Sequence, residues 1–245
     1  MGNIKDPKSI FPDIVSDYQG IFGEDLISII LYGSAAGPDF RPGKSDVNLM
    51  IVLSEDAIDQ LDRAFDVVAR WRKKGVAIPL FLTEAYVATS LDVYPIEYLN
   101  FQRNYQLVFG KDILKDLAFE NRFLRLQCER EAKGKLLLLR EAFLETAGKA
   151  EPLKSLVEQA LPAIIALFEA LLYLKGAPLP DKKREIITAA AASLGIDADV
   201  FGSLLDMREG RSKPNREERV NVIKAWLREM RKLSKMVDGL GGEDG

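Results

Sequence analysis

The spacing of apolar residues changes once along the chain, near Gly110, and this change most constrains the fold. Before it, short runs rich in Ile, Leu and Val end at glycine or polar residues, which is typical of buried strands. From about residue 114 onward, apolar residues recur every three or four positions, as on one face of a helix. The pattern predicts an α/β domain over residues 1–112, an all-α helical bundle over residues 113–240, and a disordered tail at residues 241–245.

The N-terminal part is predicted to form a mixed sheet with flanking helices. We expect a first helix over residues 10–22, and a second that follows the N-cap Ser54 and continues to about Lys73. Strands are predicted for the apolar runs at residues 26–32, 47–53, 76–82 and 94–101.

The C-terminal part is predicted to contain helices alone. The expected helices are residues 115–147, 152–175, 182–194, 198–207 and 216–238. Asn215 followed by Glu218 has the spacing of a capping box, in which each side chain accepts a hydrogen bond from the other residue's backbone NH. This pair therefore marks the start of the last helix.

The chain of 245 residues contains no histidine, which excludes several kinds of catalytic site. Ser-His-Asp and Cys-His catalysis and histidine metal sites all need that side chain. The single cysteine, Cys128, excludes an intrachain disulfide and a cysteine-based zinc site, and it fits a reducing compartment. Any chemistry therefore depends on carboxylates, Lys, Tyr, Ser, Thr or backbone groups, which among metals suit a hard cation such as Mg²⁺.

Charge and hydropathy restrict the expected partners. The net charge is −3, from 34 basic and 37 acidic residues, so we do not expect bulk nucleic-acid binding. The longest apolar run, residues 160–168, is far shorter than the roughly 20 residues that span a bilayer. The first residues, MGNIKDPKS, lack the apolar segment of a secretory signal. We expect a cytoplasmic protein that does not bind membranes, and the oligomeric state stays open.

Polar residues at the ends of the first two predicted strands form the pattern that carries chemistry. Gly33 and Ser34 follow the first strand, and Asp46 and Asn48 lie at the start of the second. Residues two apart in a strand point to the same face, so we expect Asp46 and Asn48 to project together beside the glycine. Glycine permits close approach of a bound group, the backbone NH and hydroxyl of Ser34 could hold a phosphate oxygen, and two oxygen-bearing side chains could hold Mg²⁺.

The segment LYGSAAGPDFRPGKSDVNLMIVL, which begins at Leu31, resembles the signature of the polymerase-β-type nucleotidyltransferase superfamily. The shared features are a Gly-Ser pair after an apolar residue, a gap, and an acidic residue with a spaced partner inside an apolar strand. By pattern the chain is most similar to the bacterial minimal and aminoglycoside nucleotidyltransferases, which transfer AMP to a hydroxyl and have an all-helical C-terminal domain. The resemblance implies a nucleoside triphosphate as ligand and Mg²⁺ as cofactor.

The resemblance also implies roles for individual residues. The expected nucleotide-binding residues are Gly33, Ser34, Lys44 and Ser45. The expected metal ligands are Asp46 and Asn48, and the expected catalytic residues are Asp46 and, as a possible base, Glu97. Two alternative interpretations stay open: Lys44 could be a solvated charge of the loop, and Glu97 could be a structural carboxylate.

Two positions depart from the family pattern. The family has a carboxylate where this chain has Asn48, and its third carboxylate follows a Pro-Leu pair, which places Phe81 in the position of that acid. Glu84 or Glu97 could substitute for this acid only if the fold turned one of them inward. The loss of a negative charge weakens the binding of a divalent cation. A missing general base lowers the reaction rate by a factor on the order of 10²–10⁴.

Three hypotheses follow for the function. The leading one is a nucleotidyltransferase-fold protein that binds a nucleotide and has weakened or lost catalysis. The second is an active Mg²⁺-dependent nucleotidyltransferase that transfers AMP to a hydroxyl of a small molecule or protein. The third is a non-catalytic, antitoxin-like module that binds another protein.

Overall fold

The structure, a computed structural model, describes residues 4–37, 40–43 and 45–240. The chain divides into two compact units, residues 1–119 and residues 120–245. The expected mixed sheet with flanking helices, followed by a helical C-terminal region, is confirmed. The predicted disordered tail at residues 241–245 lies outside the described residues.

The N-terminal unit is built on one four-stranded sheet. Its strands are β1 (Leu26–Tyr32), β2 (Asn48–Leu53), β3 (Leu80–Thr83) and β4 (Tyr105–Gly110). Its helices are α1 (Phe11–Phe22), α2 (Glu55–Ile58), α3 (Phe65–Lys74), α4 (Glu84–Thr89) and α5 (Pro95–Arg103). The strand order is β3-β2-β1-β4, and β1 is antiparallel to both of its neighbours. Strand β2 is parallel to β3, and the connection between them runs through α2 and α3, as a parallel crossover requires.

Both faces of the sheet are covered, and side chains alternate between them along each strand. The face that we call the α1 face carries Ile29, Leu31, Leu49 and Ile51, in one core with Tyr18 and Trp71. The opposite face, which we call the α5 face, carries Ile30, Met50 and Val52, in a second core with Val87, Tyr98 and Leu114. Burial on both faces explains why β1 and β2 are continuous apolar runs rather than alternating ones.

The expected strand at residues 94–101 is wrong, because this segment forms α5. Pro95 lies in the first turn of the helix, where its missing NH leaves no hydrogen bond unmade. Ile96 and Leu99, one helical turn apart, are both buried. The apolar residues of the segment therefore follow the helical period.

The fourth strand of the sheet is instead β4, a segment for which the sequence predicted no helix or strand. It lies at the edge of the sheet, beside β1, and pairs Gly110 with Ser28. Gly110 has a φ of 77°, and a Cβ at this position would lie 2.0 Å from the backbone oxygen of Ile27. Only glycine fits here, which fixes where β4 ends.

Two other elements are shorter than the sequence predicted. Strand β3 begins at Leu80, because Pro79 has no NH to donate, and Val76 forms only an isolated bridge with Val47. The helix expected from Ser54 to Lys73 is divided into α2 and α3 by a 3-10 turn that follows Gln60. Its predicted N-cap is confirmed, since the Ser54 hydroxyl accepts a hydrogen bond from the NH of Ala57 at 3.3 Å.

The C-terminal unit is helical throughout its described part. Its helices are α6 (Asn121–Glu145), α7 (Ala150–Leu174), α8 (Lys183–Leu194), α9 (Ala198–Glu209) and α10 (Arg216–Gly239). Helix α7 packs against the other four. Its buried Phe168 forms an edge-to-face contact with Phe201 of α9, with 4.9 Å between the ring centroids. Cys128 of α6 is fully buried in the same unit.

Residues 113–119 precede α6 and pack into the N-terminal unit, although the sequence predicted a helix from residue 115. The carboxylate of Asp112 accepts hydrogen bonds from the NH groups of Leu114 and Lys115, which holds a turn at this point. Leu114 is fully buried in the core on the α5 face.

Helix α7 is the one helix among the described residues that is long and apolar enough to cross a membrane. In its most apolar window, 56% is buried inside the structure, as in the central helix of a bundle. Length and composition alone are weak evidence for a membrane span when the helix is packed in this way.

The predicted capping box at the start of α10 is confirmed. The NH of Glu218 donates to the side-chain oxygen of Asn215 at 3.0 Å, and the NH of Asn215 donates to the carboxylate of Glu218 at 2.8 Å. Two backbone NH groups at the start of α10 that have no acceptor within the helix therefore each donate a hydrogen bond to a side chain.

We expect Asn215→Ala to lower the free energy of unfolding by about 1 kcal/mol, because the first turn of α10 loses a hydrogen-bond acceptor. Asn215→Ser retains an acceptor and should lower it by less than about 0.5 kcal/mol. Urea unfolding followed by far-UV circular dichroism measures both values, and equal losses in the two variants would contradict the role of the cap.

Candidate functional site

The chain leaves β1 through a turn that favours glycine. Gly33 has a φ of 74°, in the left-handed region, and begins a single 3-10 turn that continues to Ala36. Its NH donates to the backbone oxygen of Asn104 at 2.9 Å, which ties the turn to the residue before β4. This NH is therefore engaged within the protein, and the turn is held in one place. We call residues 33–37 the glycine turn.

Asn48 lies directly beside the glycine turn. It begins β2 and pairs with Tyr32, the last residue of β1, so both side chains lie on the α5 face. Its amide nitrogen lies 3.6 Å from the position that a Cβ on Gly33 would occupy. Neither this amide nor the hydroxyl of Ser34 has a hydrogen-bond partner among the described residues, and both residues are partly exposed. The structure thus brings together Gly33, Ser34 and Asn48, with two polar groups available to a ligand.

Asn104 lies next to the glycine turn at both of its ends and forms a hydrogen bond with it at the first. Its backbone oxygen binds the NH of Gly33, and its side-chain oxygen would lie 3.1 Å from a Cβ on Gly37. Nothing in the sequence singled out Asn104. Its contact with Gly33 depends on the pairing of β4 with β1, which no local sequence pattern predicts.

Two aromatic side chains pack against each other on the α5 face, next to the start of the glycine turn. Tyr32 packs edge to face on Phe101 of α5, with 4.8 Å between the ring centroids. Burial raises the pKa of the Tyr32 hydroxyl above its usual value of 10.0, so this group stays protonated at neutral pH. Tyr32 is therefore unsuited to act as a general base.

Asp46 and Ser45 line a pocket that is separate from the glycine turn. Asp46 precedes β2, next to the isolated bridge between Val47 and Val76. It lines a pocket of about 490 Å³ together with Ser45 and Arg72, and this lining does not include Gly33, Ser34 or Asn48. The common orientation of Asp46 and Asn48 stays a prediction, as does the role of Asp46 as a metal ligand and catalytic residue.

The loop before Asp46 is closed by hydrogen bonds between its own residues. The NH of Arg41 donates to the hydroxyl of Ser45 at 3.1 Å, and the NH of Ser45 donates to the backbone oxygen of Arg41 at 2.9 Å. The hydroxyl of Ser45 thus already has a structural partner. Lys44, the other predicted nucleotide-binding residue of this loop, lies outside the described residues.

Glu97 lies on a helix and not on the strand that the sequence predicted. In α5, Ile96 and Tyr98 are buried while Glu97 is exposed. The structure therefore does not turn this carboxylate into the core, and its role as a base stays a prediction. Glu84 begins α4 after the N-cap Thr83 and forms an ion pair with Lys111.

Phe81 occupies the opposite face of the sheet from Asn48. It packs on the α1 face, with its ring 6.1 Å from that of Tyr18 and 6.5 Å from that of Phe22, in edge-to-face contacts. An acid at this position would enter the α1 core and would not face Asn48. The residue of β3 on the α5 face near Asn48 is Leu80, which pairs with Met50 and is 39% exposed.

Comparison with known proteins shows a similarity to solved structures. No protein-family model and no curated protein matches the chain. Among solved structures, it is similar to the spectinomycin adenyltransferase AAD(9) from Enterococcus faecialis with ATP and spectinomycin. The TM-score is 0.54 and the sequence identity is 12%, over 93% of this chain and 99% of that chain. At this identity the similarity shows the fold alone, which is a mixed four-stranded sheet with flanking helices followed by a helical C-terminal region.

A pair of neighbouring substitutions tests the assignment of the two faces. We expect Phe81→Glu to lower the free energy of unfolding by about 2–4 kcal/mol, because it removes two aromatic contacts and places a carboxylate among apolar side chains. Leu80 is the neighbouring residue, lies on the α5 face and is exposed, so Leu80→Glu should lower the free energy of unfolding by less than about 1 kcal/mol. Chemical denaturation gives both values, and a larger loss for Leu80→Glu would show that the faces are assigned the wrong way round.

Proposed function

We propose that this protein binds a nucleoside triphosphate at the glycine turn and has weak or no nucleotidyl-transfer activity. The observation that carries the proposal is the pair of available polar groups, the Ser34 hydroxyl and the Asn48 amide, beside a left-handed glycine at the end of β1. The fold similarity to an adenyltransferase solved with ATP supports a nucleotide as the ligand.

The residues of the glycine turn suit the recognition of phosphate oxygens. The hydroxyl of Ser34 and the amide nitrogen of Asn48 are hydrogen-bond donors, and bonds from such donors to a charged oxygen are stronger than neutral ones. The loop that follows carries Arg41 and, by sequence, Lys44, which would neutralise part of the phosphate charge. Support from Asn104 holds the turn in place before the ligand binds, which lowers the entropy lost on binding.

Weak catalysis follows from the shortage of carboxylates around the turn. Nucleotidyl transfer needs acidic side chains that hold the metal and accept the proton of the attacking hydroxyl. On the α5 face, Asn48 and Leu80 are uncharged, and Glu97 points to solvent from α5. Asp46 is the one acid of the family signature that this chain retains. A nucleotide-binding pseudoenzyme of the cytoplasm is therefore the function that we infer.

We expect ATP to stabilise the protein against thermal unfolding, by roughly 2.7 kcal/mol at a concentration 100 times its dissociation constant. Ser34→Ala should weaken ATP binding about tenfold, because a hydrogen bond to a charged oxygen is lost. Ser16→Ala is the matched control, since Ser16 is exposed on α1, against the other face of the sheet. Isothermal titration calorimetry measures the affinities.

These variants and Asp46→Ala separate the three hypotheses for the function. Pyrophosphate release by the wild type that disappears in Asp46→Ala would establish the active enzyme and contradict lost catalysis. Equal affinities in Ser34→Ala and Ser16→Ala would contradict nucleotide binding at the glycine turn. No stabilisation by any nucleoside triphosphate would contradict nucleotide binding altogether and favour the interaction module.

A further inference from the structure

The donors around the glycine turn do not suit the Mg²⁺ ion that the family resemblance implies. In nucleotide sites Mg²⁺ is held by one or two protein carboxylates together with phosphate oxygens and waters. Gly33, Ser34 and Asn48 supply no carboxylate, and Asp46 lines a pocket whose lining does not include them. Among residues 4–37, 40–43 and 45–240, there is also no group of three or more His, Cys, Asp or Glu side chains that could hold a metal ion. On β3, Leu80 pairs with Met50 and places an apolar side chain on the α5 face.

The chemistry of the Asn48 side chain gives a second reason. Its amide lies 3.6 Å from the Cβ position of Gly33 and carries an NH₂ group, which donates hydrogen bonds, whereas a carboxylate only accepts them. Asn48 therefore offers an anionic oxygen beside the glycine turn a donor that a carboxylate would not. In the family the corresponding carboxylate would repel that oxygen unless a cation lay between them.

We propose that the Ser34 hydroxyl and the Asn48 amide bind the nucleotide phosphates directly, without a divalent cation. This inference rests on the proposed function and concerns the same site. The replacement of a carboxylate by Asn48 removes a negative charge and adds a donor, so one substitution both weakens the metal site and makes the metal unnecessary for binding. The ligand class is thus a free nucleoside triphosphate or diphosphate, in which the phosphate oxygens are not occupied by Mg²⁺.

The dissociation constant of ATP, measured by calorimetry in MgCl₂ and in EDTA, tests this inference. For the wild type we expect the two values to agree within about twofold, because no step of binding uses the cation. Asn48→Asp should lose about tenfold or more in EDTA, since a donor to a charged oxygen becomes a repelling carboxylate, and Mg²⁺ should restore part of the loss. Circular dichroism spectra compare the folding of the variants.

Asn221→Asp is the matched control for the added charge. Asn221 is exposed on α10 in the helical unit, so this variant should bind ATP as the wild type does in both buffers. Wild-type binding that needs Mg²⁺ would overturn the metal-free inference and leave the proposed function intact. Equal affinities of the wild type and Asn48→Asp in EDTA would overturn the role of the amide. Absence of binding in both buffers would contradict the proposed function itself.

Discussion

Strand β1 lies between β2 and β4, and its register with both strands determines which residues meet at the end of the sheet. Tyr32 pairs with Asn48 on one side and with Tyr105 on the other. Where the chain turns at Gly33, the NH of that residue donates to the backbone oxygen of Asn104, just before β4. A shift of one residue in the pairing with β2 would move Asn48 to the α1 face and bury it among apolar side chains. The position of the candidate site is thus a consequence of strand pairing.

The sequence predicts well those helices and strands whose apolar pattern is compatible with only one type of secondary structure. Strands β1 and β2 are continuous apolar runs, and α8 and α10 carry apolar residues at helical spacing. Helix α8 also ends at the left-handed Gly195, and α10 begins at a capping box. The segment that forms α5 has apolar residues at spacings compatible with both periods, and Pro95 fits either a strand edge or a helix start. Strand β4 was missed because it is an edge strand of partly exposed residues, without the long apolar run that marks a buried strand.

The same reasoning explains which parts of the site could be predicted. Gly33, Ser34 and Asn48 belong to one local sequence pattern, and the structure places them together. The face on which Phe81 lies depends on the register between β2 and β3, which a count along the chain does not give. Asn104 is far from Gly33 in sequence, and its contact exists only through the pairing of β1 with β4. Contacts of this kind follow from topology and not from a local pattern.

The burial of Cys128 has a practical consequence for the study of this chain. It is the single cysteine, and it is fully buried on α6, so the N-terminal unit contains no thiol. A thiol reagent in solution can reach this sulfur only when the packing around α6 opens. The rate of its modification therefore reports that opening, without a background from any second thiol.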